Sequence, residues 1–274
     1  DEEIERLRER YRKVGGRTPL LNITLAQARA VQDKIDSMKL PAKVYVGMKH
    51  WHPYVEESVE TIVSEGASSI VGLALAPHYS KLSIGGYEEA VRRGLAKTKQ
   101  VPFSMITNWH TEPNLIQALS QRIREDLDSM ERPFSAVVLF TAHSLPKRFV
   151  SADDPYESQL RETSRLVADR AGAGFWDFAF QSAGDPPDSW LGPMFKDKIE
   201  ELSKKGFKEI LICPVGFVSD HLEILYDLDI EAKEFGHSIG VKVTRTRSLN
   251  DDPVFVEALV QTVKPFLKAP VVIV

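Results

Sequence analysis

Three carboxylates, Glu223, Asp227 and Glu231, recur every four residues at the end of a segment that begins Pro214-Val-Gly-Phe-Val-Ser-Asp-His-Leu-Glu223. On a helix this spacing sets them on one stripe, about 6 Å apart along the axis, where like charges repel by roughly a few tenths of a kcal/mol per pair. A solvated acidic face would have the same spacing. Position argues for more. The run Ile210-Leu-Ile-Cys213 reads as a short buried strand, Pro214 to Gly216 end it, and Ser219 or Asp220 caps the helix that follows. The stripe therefore starts one turn past a strand's carboxyl end, where α/β proteins gather ligands. His50, His52, His78 and His143 also follow apolar runs directly. One histidine in such a place is commonly structural. Several of them facing a carboxylate stripe suit metal binding or proton transfer.

The elements that must position these groups alternate along the chain. Helices are expected over 2–14, 24–38 with Thr24 as cap, and from Pro53 to about Ser64. Further helices begin near Ser83, span 112–130, and then cover 155–171, 193–204 and 253–267. Strands are expected at 44–46, 70–75, 103–106, 136–140, 177–181, 207–213 and 241–244. The loop after the fifth strand holds Asp185, Pro186, Pro187, Asp188 and Trp190. This alternation means an α/β fold with parallel sheets and right-handed crossovers. The first half, 1–132, shows three strands and is completed by the C-terminal helix 252–268; the second half, 133–251, shows four. If the halves are duplicates, the first lacks an opening strand ahead of residue 1. The boundary falls near Arg132-Pro133.

Composition narrows the function. The chain has 274 residues, a net charge of −4 and ordinary apolar content, which speaks against a general nucleic-acid binder. Its single cysteine, Cys213, allows no internal disulfide and no cysteine-held iron–sulfur cluster from this chain alone, and fits a reducing cytoplasm. No apolar run is long enough to anchor in a membrane. There is no Gly-x-Gly-x-x-Gly, no P-loop, no helical His-x-x-x-His, no Cys-x-x-Cys and no nucleophile elbow.

At the motifs themselves a family resemblance emerges. Leu139-Phe-Thr-Ala-His-Ser-Leu-Pro146, Asp154-Pro-Tyr156 and Pro214 to Glu223 resemble the two signature regions of ferrochelatases. Gly15-Gly-Arg-Thr-Pro-Leu20, Val46-Gly-Met-Lys-His50, Gln181-Ser182 and Trp190-Leu-Gly-Pro193 support it, in order along nearly the whole chain. The resemblance implies two Rossmann-like, chelatase-type halves with a cleft between them, inserting Fe2+ as substrate into a porphyrin in haem biosynthesis. No organic cofactor is implied. The family's opening strand and the lip of its cleft have no counterpart in this sequence.

The resemblance also implies roles. His143 and Glu223 are the catalytic, metal-contacting pair, one on each face of the porphyrin, with His143 the proton acceptor. Asp227 and Glu231 extend a metal or proton path along a helix that contains a π-turn. Arg10, Tyr11, Thr18 and Tyr87 match propionate contacts, and His50, Ser182 and Trp190 complete the porphyrin site. Ala76-Pro-His-Tyr-Ser80 looks like the Gram-positive branch, which suggests coproporphyrin III and transient contact with neighbouring haem-pathway enzymes. Alternatives are a protoporphyrin IX ferrochelatase, a cobalt or nickel chelatase acting on a corrin precursor, and a haem or porphyrin carrier. Assays with different metals and tetrapyrroles separate these, and a carrier needs no proton route.

Overall fold

The computed structural model describes residues 2–130, 136–184, 189–267 and 271–273. In chain order the elements begin with α1 (Glu2–Lys13), α2 (Leu20–Ser37), β1 (Lys43–Tyr45), α3 (Val55–Ser64) and β2 (Ile70–Leu73). A π-helical turn (Lys81–Gly85) then runs into α4 (Gly86–Leu95), followed by β3 (Phe103–Ile106) and α5 (Pro113–Asp128). Next come β4 (Ala136–His143), α6 (Tyr156–Ala171), β5 (Trp176–Gln181), α7 (Phe195–Lys204) and β6 (Glu209–Cys213). A π-helical stretch (Ile224–Ala232) continues as α8 (Lys233–Ser238), and β7 (Lys242–Arg245), α9 (Pro253–Val263) and β8 (Val271–Ile273) end the chain.

The strands form two parallel sheets, ordered β1-β8-β2-β3 and β5-β4-β6-β7. The chain divides into two compact units. One comprises Asp1–Leu21, Ile116–Ala152 and Leu160–Leu249; the other comprises Asn22–Leu115, Asp153–Gln159 and Asn250–Val274. The division does not follow a single cut in sequence: α1 and most of α5 belong with the sheet of β4 to β7. The expected boundary at Arg132-Pro133 lies outside the described residues, as do Asp185 to Asp188.

In the unit of β4 to β7, the core explains the sequence pattern. Val137 and Leu139 of β4 and Ile210 and Ile212 of β6 point to one face. Phe195, Ile199 and Leu202, at helical spacing on α7, and Ile224, Leu228 and Ala232 of the π-helical stretch cover it. Strands β4 and β6 read as almost unbroken apolar runs because neither faces water. In the other unit, α3 (Val55, Val59, Ile62) and α4 (Ala90, Val91, Leu95) pack on β2 through Ile70.

Four expectations change. Helix α2 begins at Leu20, and Thr24 is a buried position on its core stripe with Gln27, Ala28, Val31 and Ile35, not a cap. Helix α3 begins at Val55, two residues after Pro53, with Tyr54 as N-cap and Glu57 in a capping box. Strand β4 runs on to His143 because β5 stays paired with it as far as Gln181. The first sheet has four strands, not three: β8, from the C-terminal end, pairs in parallel with both β1 and β2. Among the described residues no helix is long and apolar enough to cross a membrane.

Candidate active site

Three neighbouring strand ends build the site. His143 is the last residue of β4 and sits opposite Gln181 of β5 in register. The turn after β6 returns to the same place, where the Gly216 N–H donates to Thr141 O at 3.1 Å. Glycine is required there: a Cβ at residue 216 would lie 2.5 Å from the Ala142 Cβ. That approach brings Glu223, just ahead of the π-helical stretch, to His143. Their Nε2 and Oε1 are 3.3 Å apart. The other oxygen of Glu223 is 3.5 Å from His221 Nε2. His143 Nδ1 donates to the Ser144 carbonyl, which fixes the ring's tautomer and leaves Nε2 as the working nitrogen.

The charges are tightly balanced. Burial disfavours the His143 imidazolium, but the hydrogen bond and charge of Glu223, with help from the Ser144 carbonyl and Asp227, outweigh it and raise its pKa. Burial likewise pushes the Glu223 carboxyl up, and the hydrogen bonds and charges of His143 and His221 overcome this and hold it below the usual carboxylate range. Glu223 is thus an ionised carboxylate between two imidazoles.

Asp227 comes next and is buried. Its carboxylate accepts from the Arg10 guanidinium on α1 and from the Ser182 hydroxyl. Ser182 holds a left-handed backbone, φ 60°, just past β5, a conformation that costs a non-glycine residue about 1–2 kcal/mol and here aims its hydroxyl at Asp227. Burial raises the Asp227 pKa; Arg10 and Ser182 oppose this, and the charges of Glu223 and Glu231 reinforce it. Glu231 pairs with Lys196 at 3.5 Å. The π-helical part covers nine residues, Ile224–Ala232, where the resemblance implied one wider turn.

Trp190 lies with its ring centroid 6.4 Å from that of His143. The bridge between Pro146 and Trp190, and the Ser144 hydroxyl donating to Leu191 O at 2.7 Å, tie its loop to the end of β4. Phe217 packs against both histidines, at 6.3 Å from His143 and 4.7 Å from His221.

The sandwich of a porphyrin between His143 and Glu223 is not what this geometry offers. A macrocycle needs about 7 Å between flanking atoms, two van der Waals contacts, and the pair meets at 3.3 Å. The two side chains meet each other directly. Arg10 donates to Asp227 and stacks on Tyr226 at 4.8 Å. Tyr11 is exposed and Thr18 half-buried, both in this unit.

The remaining candidates lie in the other unit, each with different neighbours. His50 is exposed. His52 pairs with Glu57 at 3.1 Å. Tyr87 packs on the core with Lys49 5.4 Å from its ring centroid. His78 is buried, 6.0 Å from His110 between ring centroids. Trp109 is a packing residue, bonded through Nε1 to Ala74 O at 3.2 Å and stacked near Phe255. The residue that sequence reasoning missed is His221. Its signal was its place two residues before Glu223, overlooked because it follows no strand directly.

Two parallel sheets, with His143 and Glu223 gathered past strand ends of one of them, give the chain a chelatase-type fold. The solved structure of SirB from Bacillus subtilis with Fe3+ matches this fold with a TM-score of 0.67 at 15% identity, over 89% of this chain and 90% of that one. The ferrochelatase family profile matches residues 1–266. A ferrochelatase of Herpetosiphon aurantiacus is 41% identical, over 94% of this chain and 86% of its own. One of Deinococcus radiodurans is 38% identical, over 95% and 84%. A coproporphyrin III ferrochelatase of Geobacillus thermodenitrificans is 38% identical, over 96% and 84%. The chain belongs to the ferrochelatase family, lyase-class metal chelatases that insert iron into a porphyrin.

Proposed function

We propose that the chain inserts Fe2+ into coproporphyrin III, with His143 and Glu223 as the metallation pair. The observation that carries the pair is the 3.3 Å contact between His143 Nε2 and an ionised Glu223 held between two histidines. Insertion removes two pyrrole protons and strips water from Fe2+. A neutral His143 accepts the two pyrrole protons in turn at Nε2, releasing the first before it takes the second, while Nδ1–H stays on the Ser144 carbonyl. Glu223 stabilises the resulting imidazolium and offers Fe2+ a hard oxygen ligand in exchange for water. Asp227, whose raised pKa lets it carry a proton more readily than an ordinary aspartate, continues the path, with Glu231 at its outer end. Ser182 and Trp190 flank the porphyrin near His143, and Tyr11 and Thr18 serve its carboxylates. Fe2+ is a substrate, and the reading calls for no organic cofactor or iron–sulfur cluster and places the reaction in the cytoplasm.

The coproporphyrin assignment draws on relatives with that name, such as the Geobacillus thermodenitrificans enzyme; others are named simply ferrochelatase, which favours testing protoporphyrin IX beside it. Anaerobic Fe2+ insertion followed by absorbance with the two porphyrins in parallel makes the test. We expect kcat/KM for coproporphyrin III to be at least about tenfold higher, roughly 1.4 kcal/mol of discrimination. Equal or better turnover of protoporphyrin IX would overturn the assignment, and binding without turnover of either would point to a carrier.

A further inference from the structure

The π-helical stretch that follows Glu223 and carries Asp227 is not self-sustaining. Hydrogen bonds of the i→i+5 type are rare and occur mostly as single turns inside α-helices, so nine residues of them need tertiary support. Most of the inner face is apolar and packs on β4 and β6, which fixes its depth but not its winding. One side chain grips the segment both before and inside the stretch. Arg245, the last residue of β7, is almost wholly buried, its side chain 10% exposed. Its Nε and Nη2 donate to the two oxygens of Asp229 at 3.1 and 2.7 Å, a two-pronged bond. Its Nη1 donates to Thr246 O at 3.0 Å and to Ser248 Oγ at 3.2 Å, and lies 3.2 Å from Asp220 Oδ1. Ser248 closes the ring by donating its own proton to that same Asp220 oxygen at 2.7 Å.

The anchors bracket the acids. Asp220 comes three residues before Glu223, and Asp229 two residues after Asp227. We propose that Arg245 is a positioning residue for iron insertion: its fork fixes the span from Asp220 to Asp229, so that Glu223 meets His143 while Asp227 meets Arg10 and Ser182. The assignment rests on His143 and Glu223 being the metallation pair. A single charge would not serve, because a lysine ammonium cannot match the two oxygens of Asp229 and reach Asp220 and Ser248 together. The buried guanidinium also faces Lys233 across Asp229, with Lys233 Nζ 3.0 Å from Asp229 Oδ1, so Asp229 holds the stretch from two directions.

The test is Arg245→Lys in the full chain, with kinetics and hydrogen exchange measured together. Misplacing a catalytic group by about 1 Å costs on the order of 100-fold, so kcat for Fe2+ insertion should fall about 10- to 100-fold while the porphyrin KM stays within about threefold. Exchange should quicken in residues 220–232 and not in β4 and β5. Ser248→Ala is the milder variant. It removes the Ser248 bond to Asp220 but keeps the Asp229 fork, and it should cost about three- to tenfold in kcat. A folded Arg245→Lys protein with wild-type kcat overturns the proposal. So does a loss of activity that only tracks a uniform rise in exchange, which would make Arg245 a general stability residue. If Arg245→Lys does not fold, an unchanged kcat in Ser248→Ala overturns it instead. Failure of the metallation-pair reading is distinguishable, because Glu223→Gln would then retain insertion while Arg245→Lys lost it.

Discussion

Each sheet has a histidine at or shortly past the end of a strand, and the two are of opposite design. At the end of β4, His143 meets an ionised carboxylate, and its pKa is raised. In the other unit, His78 is buried beside His110, and burial, aided by the His110 charge, lowers its pKa to about 3. Both follow the same kind of parallel strand in the same kind of sheet. What separates them is the element that reaches the strand end. For His143 that is the turn of Gly216 and the Glu223 segment, close enough to supply charge. Topology places a histidine at a ligand-binding edge, and a neighbour decides whether it holds a proton.

The largest effect expected from this contrast is kinetic. His143→Ala should lower iron insertion by at least about 1,000-fold, the upper range for a lost proton-transfer group, whereas His78→Asn should leave the kcat of folded protein within about threefold. Steady-state kinetics on both variants checks this, and a comparable loss in His78→Asn would erase the contrast. Next in size is Leu228→Ala, on the inner face of the π-helical stretch and fully buried, which should cost about 3 kcal/mol by denaturant unfolding. Arg10→Met leaves Asp227 buried, with the Ser182 hydroxyl still donating to it. A loss of about 2 kcal/mol is expected from the same measurement, less than for a fully buried pair because Arg10 is partly exposed.

The pH dependence sharpens the comparison further, because the signs differ. His78 has a depressed pKa, so below about 6.5 the unfolded chain takes up a proton that the folded chain refuses. Its contribution is present above that pH and is lost as pH falls toward about 3, at up to about 1.4 kcal/mol per pH unit. His143, raised above 6.5, contributes fully below that value and loses its contribution as pH rises through its folded pKa. Glu223, depressed from 4.5, contributes above that value and loses its contribution as pH falls through its folded pKa. The pair is therefore most stabilising between about 4.5 and 6.5. Hydrogen exchange at pH 7 and pH 5 should show β2 and β3 losing protection on acidification while β4 and β5 keep theirs. In an NMR titration, Glu223→Gln should drop the His143 pKa below its ordinary value, since burial is then less opposed.

Much of this was legible in the sequence. Apolar runs broken by Pro or Gly mark the strands, and the paired motifs around His143 and Glu223 mark the site. The misses have physical causes. Thr24 reads as a cap because its hydroxyl can act as one, but tertiary packing made it a core position. Strand β8 is three residues long and lies between β1 and β2, which its short apolar run does not announce. The placement of His143 and Glu223 on opposite faces came from family resemblance, and their direct contact at 3.3 Å is a distance that no sequence pattern carries. The grip of Arg245 on Asp220 and Asp229 joins residues up to 25 positions apart and leaves no periodic trace.

The most direct test of the metallation pair is Glu223→Gln, assayed for anaerobic Fe2+ insertion with porphyrin affinity measured on the same protein. The account predicts that insertion is abolished while affinity stays within about threefold, because glutamine keeps the shape and loses the charge. Equal loss of both, or insertion at the wild-type rate, would contradict it.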